Sequence, residues 1–482
     1  MKQIQKIILA LLSVAFVAAA CGKGEPSNPR PIREPEDEPA LVTRIRFTWD
    51  KIRTIPKAPV TVPLKEIHYD DGSRSVDPTL LKWSVEDESI ATVDKNGQIT
   101  AKKAGVTEVK AEADGISASI PVYVTTGAST TGIDQFAADN IYDKGSALTS
   151  NQVPQSFDMT RDGMVWYLQI GKPEVHRLYL NKVEPSTERK SEVKEWMAFD
   201  FFGHGTNYTL EEAADGLYVW ISSFGTRTED DTYWHEQVFG RFKYGNGKVV
   251  TAGDSDKIPE ADYFYLGTIR QDIHVAVDVE GDDLMIYYAD GHPEKPRHFV
   301  VYSLKEALES RTRYVDFRTR VYGGGTSDVE ERESAPYIRV HDLSTIGKKA
   351  EFGFQGQAQA QAYVAGGGSP DDEAALSYYS YQGFDIHDGA IYFYEGEGKD
   401  GFLSKAYITV FNYAGQIIEK RTRVNIAENQ SALQSNGITA LGYMEAEGLK
   451  VRGGHLYISF GSNDYDNVRR GNLFKYNIAR LQ

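Results

Sequence analysis

The stretch Asp388-Gly389-Ala-Ile391-Tyr-Phe393-Tyr, answered at residues 407–413 by Tyr-Ile-Thr-Val-Phe-Asn-Tyr, decides the fold class. A glycine turn opens it, apolar and aromatic residues run through it, and the second run ends on an aromatic ring, which reads as one hairpin. The unit recurs at Asp162-Gly163 with Val175 to Leu180, and at Asp215-Gly216 with Phe239 to Tyr244. It recurs again at Gly281 with Phe299 to Leu304, and at Gly453-Gly454 with Leu473 to Ile478. A hairpin with so large an aromatic face cannot bury it alone and must stack on its neighbour, as the blades of a β-propeller do. Glycines 163, 216, 281, 389 and 454 stand 53, 65, 108 and 65 residues apart. The long interval holds either an insertion or a sixth blade built from Glu351–Phe354 and Ala362–Val364. Five blades with an insertion are favoured over six.

Two hairpins are preceded by near-identical runs, Gln155-Ser-Phe157-Asp158 and Gln382-Gly383-Phe384-Asp385-Ile386. A third such run begins Gly203-His204-Gly205-Thr206-Asn207. These read as inner strands beside a central channel. Together with Arg241-Phe-Lys-Tyr244-Gly-Asn-Gly247, they resemble the propeller of staphylococcal phage receptor-binding proteins and of proteins labelled teichoic-acid biosynthesis protein C, a group that includes bacteriocins of the helveticin type. The resemblance implies recognition of an envelope polymer. This chain departs from it at the N-terminus, so the wall polymers of that group are not carried over.

Between Leu41 and Val124 short alternating runs such as Leu81-Lys-Trp83-Ser-Val85 and Ile120-Pro-Val122-Tyr-Val124 mark half-buried strands, and the frequent turns between them point to a sandwich. Trp83-Ser-Val through Ala91-Thr-Val93 and Gly97-Gln-Ile99-Thr-Ala to Gly105 is similar to the group 2 bacterial immunoglobulin-like domain. That likeness implies a spacer or adhesion module without catalytic residues. Asn96-Gly97 suits a tight turn, because positive φ is needed there, and Trp83 is the expected core anchor.

At the N-terminus Lys2 and Lys6 precede an apolar run from Ile7 to Ala20, too short to span a bilayer. It ends Val17-Ala-Ala-Ala-Cys21-Gly22, which resembles the bacterial lipobox. Cys21 is the only cysteine, so it has no partner for an internal disulfide and is the expected lipidation site. The proline-rich segment 22–39 reads as an extended tether, and Lys23 and Glu25 resemble the charged sorting signals of surface lipoproteins in the Bacteroidota. The expected organisation is a signal peptide at 1–20, a lipidated tether at 21–40, an immunoglobulin-like domain at 41–126, a linker at 127–151 and a propeller at 152–482. The fold class is all-β. The expected location is the outer membrane, with the lipid as the sole membrane attachment. A net charge of -16 argues against a nucleic-acid partner.

No nucleophile elbow, zinc-binding helix motif, phosphate-cradling loop or paired-cysteine site is present. That favours a binding protein over an enzyme, with no cofactor and no metal. Asp158 and Asp385 are the one candidate carboxylate pair for glycoside chemistry, but aspartates repeated on inner strands more often accept backbone hydrogens from adjacent blades. His204 is either a ligand contact or a satisfied inner-strand histidine. Asn463-Asp464-Tyr-Asp466-Asn467 reads as a solvated acidic loop rather than a calcium loop, since the later glutamate is missing. The 29 tyrosines and 6 tryptophans are mostly core. Those in variable loops, Tyr233, Trp234, Tyr378, Tyr379 and Tyr381, are expected to be exposed and to stack on sugar rings. With Gln155, Asp158, His204, Asn207, Gln382 and Asp385, the aromatics Tyr233, Trp234 and Tyr381 make up the expected glycan-binding set. The expected function is therefore binding of an extracellular or cell-surface glycan; the alternatives are an enzyme acting on polysaccharide and a structural subunit of an outer-membrane assembly.

Overall fold

The computed structural model describes residues 39–125, 140–146, 148–150, 152, 154–171, 177–185, 192–224, 226–227, 233–234, 236–252, 258–268, 270–289, 296–317, 321–322, 329–330, 337–400, 405–424, 443–463 and 469–477. The signal peptide, Cys21, most of the tether and loop residues 464–468 lie outside these. The described chain is all-β, with an immunoglobulin-like domain followed by a larger β domain. No helix among the described residues is long and apolar enough to cross a membrane.

Three small sheets form the first domain, the largest ordering Ile52–Thr54, Ile116–Val124, Gly105–Ala113 and Lys82–Val85. Alternation puts Ile52, Val60, Ile99, Val109, Ile120 and Val122 into one core. Trp83 packs at its edge, half-buried, and its indole N–H donates to the Pro78 carbonyl at 2.9 Å. The turn glycine, Gly97, has φ +73°, and a Cβ there would stand 3.0 Å from the Trp83 ring. Both the backbone and the tryptophan above it require glycine.

Among the described residues the larger domain contains five sheets of four to six strands and two two-stranded ribbons; the five are antiparallel apart from one parallel pair in each of the first and second, and each contains one of the five expected hairpins. Their first strands are Pro154–Met159, Tyr208–Ala213, Gln271–Asp278, Ser380–His387 and Tyr443–Arg452. Each of these axial strands contacts the next, and the fifth contacts the first. Every neighbouring pair of sheets also shares an aromatic core; Tyr208, Phe199 and Phe242 fill the one between the first and second sheets, and Phe299, Phe384 and Phe393 the one between the third and fourth.

Three expectations are corrected. Ala362–Val364 is not a strand but part of the helix Gln357–Ala365, and Glu351–Phe354 belongs to the outer strand of the third sheet. Thr312–Asp316 and Tyr337–Asp342 extend the second sheet, and among the described residues the separate sheet within 305–380 is the two-stranded pair Val321–Tyr322 and Val329–Glu330, too small to be a sixth blade. Asn140–Ser146, placed within the expected linker, pairs antiparallel with Arg469–Asn477 and completes the fifth sheet.

Candidate functional site

The last residues of the axial strands converge on a cavity of about 660 Å³. Each strand supplies one apolar residue to its wall, namely Met159, Leu210, Val277, Ile386 and Val451. Ionisable side chains share the lining with this apolar collar: Glu212, Asp278, His387 and Arg452 near the ends of their strands, and Arg161 and Glu280 in the turns that follow. Thr160, Val279, Tyr457 and the turn glycines Gly163, Gly453 and Gly454 complete the lining. A volume of several hundred Å³ lined by both apolar and ionisable side chains suits a small polar ligand or a terminal residue of a polymer.

Arg452 forms the floor. Its guanidinium bridges two fully buried carboxylates, Nη2 to Asp158 Oδ2 at 2.8 Å and Nη1 to Asp385 Oδ2 at 2.7 Å. Burial works against its charge, but the two aspartates outweigh that and hold its pKa above the ordinary arginine value. The same Asp158 oxygen accepts from the Leu210 N–H at 2.7 Å, and Asp385 accepts from the Val451 N–H at 2.8 Å. Each aspartate thus ties its own strand to the backbone of the next. Lys450 lies buried beside them, its Nζ 3.8 Å from Asp385 Oδ1, and burial pushes its pKa below the usual lysine value. Asp158 and Asp385 thus each accept from the Arg452 guanidinium and from a backbone N–H of the neighbouring strand.

In the wall, His387 Nδ1 lies 3.4 Å from Asp278 Oδ2. The hydrogen bond to Asp278 raises the histidine above its ordinary value despite burial, with Asp385 and Asp388 adding to it. Burial pushes Asp278 up, but His387 and the N–H of Gly281 outweigh this and hold it below the ordinary carboxylate value. At the rim Arg161 reaches towards Glu280, with Nη2 to Oε1 at 3.7 Å, and its N–H donates to Glu212 at 2.7 Å. Among the described residues no cluster of three His, Cys, Asp or Glu side chains is arranged to hold a metal.

The remaining candidates from the sequence lie away from this cavity. Asn207 is buried and donates to the Val275 carbonyl at 2.8 Å, stitching the second axial strand to the third. Gln155 and His204 are half-buried, and the His204 N–H donates to Glu236 Oε1 at 2.8 Å. Gln382 is buried and donates to the Gly396 carbonyl. Tyr381, expected to be exposed, stacks on Tyr287 at 4.6 Å and on His274 at 5.2 Å, and burial holds its hydroxyl well above the usual pKa. Tyr379 is buried against Tyr407 at 5.4 Å, and Tyr378 packs edge-on to it. Tyr233–Trp234 pairs with Thr226–Arg227, and the two aromatic side chains lie outside the described residues. Sequence reasoning missed Arg161, Glu212, Asp278, His387 and Arg452. Their one local signal is position, next to the turn at the end of each axial strand.

Residues 42–119 match the family described as bacterial Ig-like domain (group 2). Among curated proteins none matches the chain. Of solved structures, it is similar to the tail fibre of a Staphylococcus aureus phage, at 13% identity and TM-score 0.40, covering 70% of this chain and 53% of the fibre. The chain therefore spans about half the length of that fibre. It is also similar to an α-L-arabinofuranosidase from Lactobacillus brevis, at 6% identity and TM-score 0.31, covering 72% of this chain and 94% of the enzyme. A polysaccharide lyase matches at 10% identity and TM-score 0.30, covering 68% of this chain and 90% of the lyase. Two of these three are enzymes, which overturns the preference for a non-enzyme drawn from missing motifs. Scores this low assign no activity to the chain either.

Proposed function

We propose that this is a lipoprotein, anchored at the outer membrane through Cys21, whose larger domain is a five-bladed propeller that engages an extracellular or cell-surface glycan. The cavity carries this reading. Its apolar collar can receive the C–H face of a sugar ring, and a rim of carboxylates, guanidinium and imidazole can bond the hydroxyls. Five sheets with five mutually adjacent axial strands support the blade count, and the sequence at residues 1–22 supports the anchor.

The test is a glycan array followed by calorimetry on the soluble form starting at Gly22, with bound glycans also assayed for turnover. Binding in the micromolar to millimolar range, about 4 to 8 kcal/mol, is expected for at least one polymer class. Glu212→Gln and His387→Gln should each weaken it by roughly tenfold, the scale of one charged hydrogen bond. The reading is overturned if no polymer binds, or if neither substitution changes the affinity.

A further inference from the structure

The immunoglobulin-like domain is seated on the third and fourth sheets, at the end that opens into the cavity. Trp49 belongs to both sides of this joint. It packs against the immunoglobulin-like core and edge-on to Tyr413 at 5.7 Å, and its indole N–H donates to the Lys349 carbonyl at 2.5 Å. Asn412 donates to the Arg53 carbonyl at 2.8 Å, Gln416 to the Pro59 carbonyl at 2.7 Å, and Lys65 pairs with Glu306 at 2.7 Å.

At the centre of the joint is Asp388, in the turn after the fourth axial strand, with φ +52°. Lys51 and Arg53 both bind its carboxylate, and Arg53 Nε also donates to its carbonyl at 2.6 Å. The N–H of the same residue donates to Asp278 Oδ2 at 3.2 Å, the oxygen that also faces His387. One short turn therefore carries the domain joint on its outer side and the cavity wall on its inner side. Gly389 completes it at φ +78°, and a Cβ there would come within 3.1 Å of the Lys51 side chain.

We propose that Lys51 and Arg53 are positioning residues of the cavity: by holding Asp388 they fix the Asp278–His387 pair in its wall, which makes the immunoglobulin-like domain part of the site rather than a spacer. The inference rests on the cavity being the ligand site. It is read out without ligand, so its failure and the failure of glycan binding are separate results. The charges facing His387 are Asp278 from the third axial strand, Asp385 and Asp388 from its own strand and turn, Arg452 on Asp385, and Lys51 and Arg53 on Asp388.

These charges give the test a sign. Removing two cations acts by charge alone to raise the His387 titration midpoint, because Asp388 is left less neutralised. Releasing the turn weakens the hydrogen bond to Asp278 and lowers the midpoint. The experiment follows the His387 ring by NMR in the chain from Gly22, comparing the native protein with Lys51→Ala/Arg53→Ala and with the conservative Arg53→Lys. A fall of about half a unit or more in the double variant is expected, with Arg53→Lys staying near the native value. A rise, or an unchanged midpoint, overturns the proposal. If the double variant fails to fold, as judged by Trp49 fluorescence, Lys51→Met is read by the same signs.

Discussion

The two ends of the axial strands are built from the same five segments and solve opposite problems. At the cavity end the strands finish in short turns, and charged side chains collect where Arg452 bridges Asp158 and Asp385 with Lys450 beside them. At the other end Tyr381, Tyr287 and His274 form a stack in the core between the third and fourth sheets. Burial at that end holds the His274 pKa down to about 4, so the imidazole there is neutral while His387 at the cavity end is held ready to carry charge. The difference teaches that the two ends of one set of strands need not do the same work: at one end the repeated Phe-Asp run supplies a pair of struts beside a cavity, and at the other the strands carry rings into a packed core.

The largest effect that could break this contrast is at the floor. Arg452→Met leaves two buried carboxylates without the guanidinium that bridges them, with Lys450 still beside them, and is expected to cost about 3–5 kcal/mol in urea unfolding; a loss below 1 kcal/mol would mean the aspartates are satisfied without it. Next is a pH effect at the cavity end. Asp283, buried under Tyr413 and Lys349, is pushed by burial to about 6, above its ordinary 3.8. Between those values the native state holds a proton that the unfolded chain has released, so stability should fall as pH rises from about 4 to 6, by up to about 3 kcal/mol. Asp283→Asn should flatten that slope, and an unchanged slope would exclude Asp283 as its source.

Smaller, and opposite in sign, is Tyr381→Phe at the aromatic end. The Tyr381 hydroxyl is buried with no hydrogen-bond partner, so removing it should leave stability unchanged or raise it by up to about 1 kcal/mol. A loss above that would show that the hydroxyl is bonded through water. The smallest expected effect is His387→Gln, within about 0.5 kcal/mol in thermal unfolding, because its side chain is 29% exposed to the cavity. The same substitution should still shift glycan affinity, which separates a ligand contact from a structural one.

What the sequence made legible was whatever has a local signature. Glycine turns beside aromatic runs located all five hairpins, and Asn96-Gly97 located the tight turn of the first domain. Long-range pairing left no such trace: nothing in Asn140–Ser146 announces a partner at Arg469–Asn477, and nothing in Thr312–Asp316 announces that it joins a sheet begun at Tyr208. Ala362–Val364 misled because a short apolar run fits strand or helix, and the helix shows only in the Gln/Ala composition before it. Tyr379 and Tyr381 misled because their exposure was inferred from loop position. Tyr379 instead packs on Tyr407 of the third strand in its sheet, and Tyr381 belongs to the axial strand itself. The cavity residues have no local signature beyond that place: Glu212, Asp278, His387 and Arg452 are single ionisable residues near strand ends that meet only once the strands come together.

The pairing of Asn140–Ser146 with Arg469–Asn477 also sets a clock on biosynthesis. The outermost strand of the fifth sheet is the first described strand of the larger domain to be made, and the strand it needs is the last of the described ones. Four sheets can gather their strands as the chain emerges, but the fifth keeps a bare edge until residues 469–477 have been made. A chain cut short before Arg469 would leave Asn140–Ser146 without its partner and that edge open to other strands.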